Sequence, residues 1–127
     1  MVNMVKEFII KTIISIPKKL YTERNKSIYD LLKESGYFDC YESIDTKDIF
    51  NVLTQIPDNI EYWFRLSEDK RVDSGYFIEK LEHDKYIVGY HQAHIVSNLL
   101  EYDDINEACA SFISKEIEEI RISFVPH

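Results

Sequence analysis

Glycine and proline are scarce, with three of each in 127 residues. Three scattered glycines cannot build a phosphate-cradling loop, so a P-loop and a dinucleotide-binding fingerprint are both excluded. Cysteine is scarcer still: Cys40 and Cys109 stand 69 positions apart and no CxxC occurs. That spacing excludes a four-cysteine zinc module and a disulfide-dense secreted scaffold, and it fits a reducing compartment. There is no GxSxG, the usual setting of a hydrolase serine. No apolar run approaches the roughly 20 residues needed to cross a bilayer. Near the N-terminus Lys11 interrupts Phe8-Ile9-Ile10 and Ile13-Ile14, and Pro17-Lys18-Lys19 follows without a small-residue cleavage site, which makes a poor signal peptide.

Positive charge is also in deficit. Fifteen Lys and Arg face 23 Asp and Glu, for a net charge of −8. The imbalance is uneven. Residues 1–28 hold six basic and two acidic side chains, a net +4; the other 99 residues hold nine basic and 21 acidic, a net −12. Such a body repels nucleic acid and draws in a basic partner, which speeds encounter. Acidity also serves solubility alone. What the chain has in abundance is aromatics, nine Tyr and seven Phe. Tyr is a frequent binding anchor, because it offers a large area at low entropic cost and a polar tip. The length and a 45% hydrophobic content suit one domain, residues 1–127, with a core that needs no staples.

Periodicity places the elements. Residues 5–16 read as an amphipathic helix with Val5, Phe8, Ile9, Thr12, Ile13 and Ile16 on one face, packed on the core; the β-branched density leaves a strand as the alternative. A second helix is predicted from about Thr22 to Glu34, ended by Gly36 in the left-handed region. A third runs from about Thr46 to Gln55 with Asp45 as N-cap, and Pro57-Asp58 ends it. From Ile60 the apolar positions alternate, with Ile60, Tyr62, Phe64 and Leu66 on one face and Glu61, Trp63 and Arg65 on the other, the pattern of a strand. Trp63 is then either covered by helices on a second sheet face or exposed as a contact residue. Strands from Tyr76 to Leu81 and from Lys85 to Tyr90 follow, joined by Glu82-His83-Asp84, with Gly89 marking a bulge. His91 to Val96 reads as irregular and Asn98 to Tyr102 as a further short strand. Asp104, with Glu107 three residues on, opens a last helix whose stripe is Ile105, Ala108, Cys109, Phe112, Ile113, Ile117 and Ile120. The fold class is α+β: N-terminal helices, an antiparallel β-meander of three to four strands, and a C-terminal covering helix.

Reactive groups find no convergent setting. His91 and His94 form an HxxH, but the segment is not helical in pattern and no third ligand stands at a recognised spacing. Cys109 falls on an apolar stripe, and Cys40 sits between Asp39 and Glu42; both settings disfavour the thiolate. Asp104 is explained as a cap, and Glu118-Glu119 as a solvated face. The expectation is a protein without catalytic residues, metal or cofactor.

One resemblance adds to this reading. Trp63 with Leu66-Ser67-Glu68-Asp69-Lys70-Arg71, then Ser74-Gly75-Tyr76-Phe77, then Lys85-Tyr86-Ile87-Val88-Gly89-Tyr90, then Glu107-Ala108-Cys109 with Phe112-Ile113 and Glu116-Ile117, resembles the immunity proteins of bacterial polymorphic toxin systems. The nearest type is that of contact-dependent growth inhibition, and the likeness spans roughly residues 60–120. The resemblance implies a cytoplasmic protein that binds the toxic C-terminal domain of a cognate effector, often a nuclease, and neutralises it by stoichiometric occlusion. It implies no catalytic residues. The expected partner is a basic protein domain, with no direct contact to nucleic acid or membrane. The expected contact residues sit in turns and strand ends: Glu68, Asp69, Asp73, Tyr76, Glu82, Asp84, Tyr90, Glu101, Asp103 and Asp104. A regulatory or adaptor module binding another protein is the alternative, and an enzyme with an unfamiliar site is the second.

Overall fold

The structure is a computed structural model that describes residues 4–23, 25–69 and 74–123. Helices α1 (Met4–Ile14), α2 (Ile16–Thr22), α3 (Ile28–Ser35), α4 (Tyr37–Cys40), α5 (Thr46–Leu53) and α6 (Ile60–Asp69) precede an antiparallel meander of β1 (Ser74–Lys80), β2 (Tyr86–Gln92) and β3 (Ile95–Tyr102). The long α7 (Ile105–Ser123) closes the order. The α+β class holds, with three strands in spatial order β1-β2-β3.

Local sequence explains most element ends. Ser27 accepts the Asp30 amide at 3.1 Å while the Asp30 carboxylate accepts the Ser27 amide, a capping box that starts α3. Asp45 and Asp48 do the same for α5. Gly36 ends α3 with φ at 93°, where a side chain would strain the backbone. The second predicted helix starts later than expected: it is α3, which begins at Ile28 after the Ser27 cap, and Thr22 belongs instead to the end of α2. In α1 the helix prevails over the strand, but its buried side is Ile10, Ile13 and Ile14, whereas Val5 and Phe8 are 66% and 69% exposed. Of the predicted face Ile13 and Ile16 are buried, and the helix turns Ile10 and Ile14 inward in place of Val5 and Phe8.

The main correction concerns Ile60–Asp69, which forms a helix and not the first strand of the meander. Alternation and helical spacing coincide over so short a run. Ile60, Trp63 and Ser67, at i, i+3 and i+7, make the buried side. Pro57 settles the matter by opening a 3₁₀ turn, Pro57–Asn59, that feeds directly into α6. Trp63 is fully buried as a result: its indole N–H donates to the Ile14 carbonyl at 2.8 Å, and its ring meets Phe112 edge-on at 6.1 Å. The segment read as irregular, His91 to Val96, carries the β2–β3 hairpin, whose tip residues Ala93 and His94 both have positive φ.

α7 lies between the sheet and the other helices. It packs on all three strands on one side and on α3, α5 and α6 on the other. Residues Ala108 to Ile113 are accordingly buried all round, and with Ile117 they form the centre of the core. Asp104 caps α7 through the Asn106 amide at 2.8 Å.

At Ile78 the β1 edge is met by α6. The buried Ser67 hydroxyl accepts the Ile78 amide at 3.0 Å and donates to the Ile78 carbonyl at 3.3 Å. Ser67→Ala strands both backbone groups without water. The expected loss is about 2 kcal/mol in urea unfolding, with faster exchange of the Ile78 amide.

Candidate protein-binding surface

The sheet sorts its side chains by register. Tyr76 stands opposite Tyr90, Ile78 opposite Val88, and Tyr86 opposite Tyr102, all on the side that meets α7. Phe77, Ile87, His91, Val96, Leu99 and Glu101 lie on the outer side. A bulge sets Asn98 and Leu99 of β3 against Gly89 alone, with Asn98 at φ 54°. Gly89 is needed there because Phe77 and Leu99 close over it: a Cβ at this position would meet Leu99 Cδ2 at 2.7 Å and Phe77 Cζ at 3.0 Å.

The meander gathers four of the expected contact residues at one end. Glu82 and Asp84 occupy the β1–β2 connection, and Glu101 and Asp103 end β3; all four are exposed. Two are ion-paired, Asp103 with Lys85 and Asp84 with Lys80 at 3.7 Å. Glu82 and Glu101 have no ion pair among the described residues. Asp104 is at the same end, half-buried and engaged as the α7 cap.

The other expected residues lie elsewhere. Tyr76 and Tyr90 form a half-buried pair, ring centroids 4.9 Å apart, four register positions or roughly 13 Å along the sheet from the acidic end. They line a groove of about 520 Å³ with Ser114, Lys115, Glu118 and Glu119 of α7. The Lys115 ammonium sits 5.8 Å from the Tyr76 ring centre, and burial, then Glu119, pushes the Tyr76 hydroxyl pKa up. Asp69 ends α6, where its carboxylate accepts the Tyr21 hydroxyl beneath the Arg65 guanidinium. Burial, then that hydrogen bond, moves the Tyr21 pKa to about 12. Glu68 is exposed beside it, away from the acidic end. Asp73 falls outside the described residues.

The remaining polar clusters hold the fold. Glu118 accepts from Arg121 at 2.8 and 3.1 Å and from the buried Tyr37 hydroxyl, while Arg121 lies 3.7 Å from the Tyr41 ring centre. Arg121 chiefly holds the Glu118 carboxyl below its ordinary range. A larger groove of about 690 Å³ runs between α1 and α5, bridged by Lys6–Asp48 at 2.8 Å. Cys40 lines it, its thiol pushed up by burial and then by Asp39; Cys109 is raised by burial alone. His91 lies against Phe77 and His94 sits at the hairpin tip, and no group of three metal-ligating side chains occurs among the described residues. No helix among them is long and apolar enough to cross a membrane.

Sequence reasoning gave β3 as a short strand from Asn98 to Tyr102 and missed its first half, from Ile95, and its exposure. Ile95, Val96, Leu99 and Leu100 are 71%, 49%, 54% and 45% exposed, on a strand open along its length. The Ile-Val and Leu-Leu doublets were its signal, since neither face of a half-buried strand asks for two consecutive aliphatics. No protein-family model matches the chain, and no curated protein or solved structure shows significant similarity to it.

Proposed function

We propose that this protein is an immunity-type inhibitor that binds a basic toxin domain through the acidic end of its meander and neutralises it by stoichiometric occlusion. The observation that carries the reading is the convergence of Glu82, Asp84, Glu101 and Asp103 on one exposed end, where Glu82 and Glu101 make no contact ion pair among the described residues and Glu101 shares the field of Lys85 with Asp103. Glu101 is held by β3, and the other three stand in short connections anchored on strands at both ends or on β3 and α7, so little ordering entropy opposes their use. Their field adds to that of an acidic body and steers a cationic partner to this end. The resemblance of residues 60–120 to immunity proteins supplies the kind of partner; the charge supplies its sign.

The test is co-expression. The C-terminal domain encoded immediately upstream is expressed in a cell with and without this protein, and growth is followed. Expected is arrest relieved by this protein and recovery of the two chains as a one-to-one complex. Arrest that it does not relieve, or no arrest, overturns the toxin reading and favours an adaptor role for the same surface.

A further inference from the structure

Sheet edges recruit other strands unless something covers or disrupts them. The two edges here are treated differently. α6 packs beside β1 and Ser67 bonds it at Ile78, whereas among the described residues no backbone hydrogen bond leads from β3 to any segment other than β2. Charge does not protect β3 either: Glu101 is its one charged residue in eight, and it holds no Pro or Lys.

The direction of its free backbone groups follows from the register. Ile78 bonds Ser67 and therefore points its N–H and C=O away from β2. Val88, opposite Ile78, then points its own groups toward β3. Leu100 and Tyr102 on one side of the bulge, and Ser97 and Ile95 on the other, are thus bonded into β2. Val96 and Glu101 present theirs to solvent.

We propose that β3 is the interface of a two-fold symmetric homodimer, in which two copies pair β3 with β3 antiparallel into one continuous sheet of six strands. The strand is self-complementary. The bulge at Asn98 and Leu99 divides it into Ile95–Ser97 and Leu100–Tyr102, and a two-fold places each half against the other half of the second copy. Val96 then stands opposite Glu101. Both carry outward backbone groups and both lie on the outer face, so each such pair exchanges two hydrogen bonds. Ile95 meets Tyr102, and Ser97 meets Leu100, all on the helix side. The two bulges meet at the axis, where neither asks for a partner. A slip of one residue sets outward groups against inward ones and mixes the faces. A foreign strand would need its own gap opposite the bulge; a second copy supplies it by symmetry. Antiparallel pairing also lays the acidic end of each strand, Glu101 and Asp103, beside the other's His94 tip and not acid against acid, which suits a chain of net charge −8. The dimer goes beyond the toxin-binding reading and stands or falls without it.

Sedimentation of the full chain between about 2 and about 200 μM is the direct test. The expected mass rises from 15.1 kDa toward twice that value. Val96→Pro removes an outward N–H and no ladder bond, so it should leave the monomer folded and raise the dimer dissociation constant at least about tenfold. Ile95→Lys with Leu100→Lys should do the same by charge, while Phe8→Lys, on an equally exposed aromatic of α1, should change nothing. Amide exchange of the unmodified chain reads the interface without a variant: the Val96 and Glu101 amides should exchange fast when dilute and gain protection when concentrated. A mass that stays at 15.1 kDa, or a dimer that leaves those two amides unprotected, overturns the proposal.

Discussion

Trp63→Ala is expected to destabilise the protein by about 5 kcal/mol, a large share of the 5–15 kcal/mol that holds a typical domain together. Trp63 is the single Trp and is wholly enclosed. From α6 it reaches α1 through the Ile14 carbonyl and α7 through the Phe112 ring, so it ties three helices together. Truncation leaves a cavity among side chains that sit deep in the core, which costs about 3–5 kcal/mol. It also leaves the Ile14 carbonyl buried without its donor, for about 1–3 kcal/mol more, part of which relaxation recovers. Trp63→Phe separates the two effects. The ring contact with Phe112 survives and the hydrogen bond does not, so a loss of about 2 kcal/mol is expected. Urea unfolding followed by far-ultraviolet dichroism gives both values; fluorescence does not serve, because the only Trp is the residue removed. A loss under about 1 kcal/mol for the Ala variant would mean that the ring is not clamped between α1 and α7.

The same residue shows what the sequence made legible. The pattern left Trp63 either covered or exposed, because the element that carries it was not readable. Between Ile60 and Leu66 the apolar residues satisfy a two-residue and a near-four-residue period at once, and only the tertiary setting selects between them. Caps were better guides than periodicity: Asp45, Gly36 and Asp104 each do what their chemistry requires, because a cap is satisfied within a few residues of itself. The candidate surface divides the same way. Glu82, Asp84, Glu101 and Asp103 were readable as exposed turn and strand-end residues, and the register then brought them together. Asp69 was readable as exposed but not as spoken for by Tyr21, 48 residues away. The openness of β3 depended on which edge α6 packs beside, and a contact such as Ser67 with Ile78 leaves no trace in local pattern.

Reversing Glu82, Glu101 and Asp103 to Lys is expected to slow association with the toxin domain by about 10- to 100-fold at low salt and to flatten its dependence on ionic strength. Each reversal adds two positive charges, so the three move the net charge from −8 to −2 and concentrate the change at one end. These three are chosen for what they do internally. Asp84 has φ at 56°, a conformation that Lys tolerates poorly, and Asp69 is bonded to Tyr21, so changes there would mix folding with binding. Asp103 does give up its pair with Lys85, an exposed contact whose loss costs little stability. The dissociation rate should change less than the association rate, because steering acts on the encounter and not on the docked contacts. Global charge is removed as an explanation by a second triple, Asp39, Glu42 and Asp58 to Lys, exposed positions away from the sheet that shift the net charge equally. Stopped-flow mixing across a salt series separates the cases. If both triples slow association alike, the field belongs to the whole body and the acidic end is no site. If only the first does, the encounter is guided to the end of the meander, and the carboxylates that the register assembles there are the surface the partner meets.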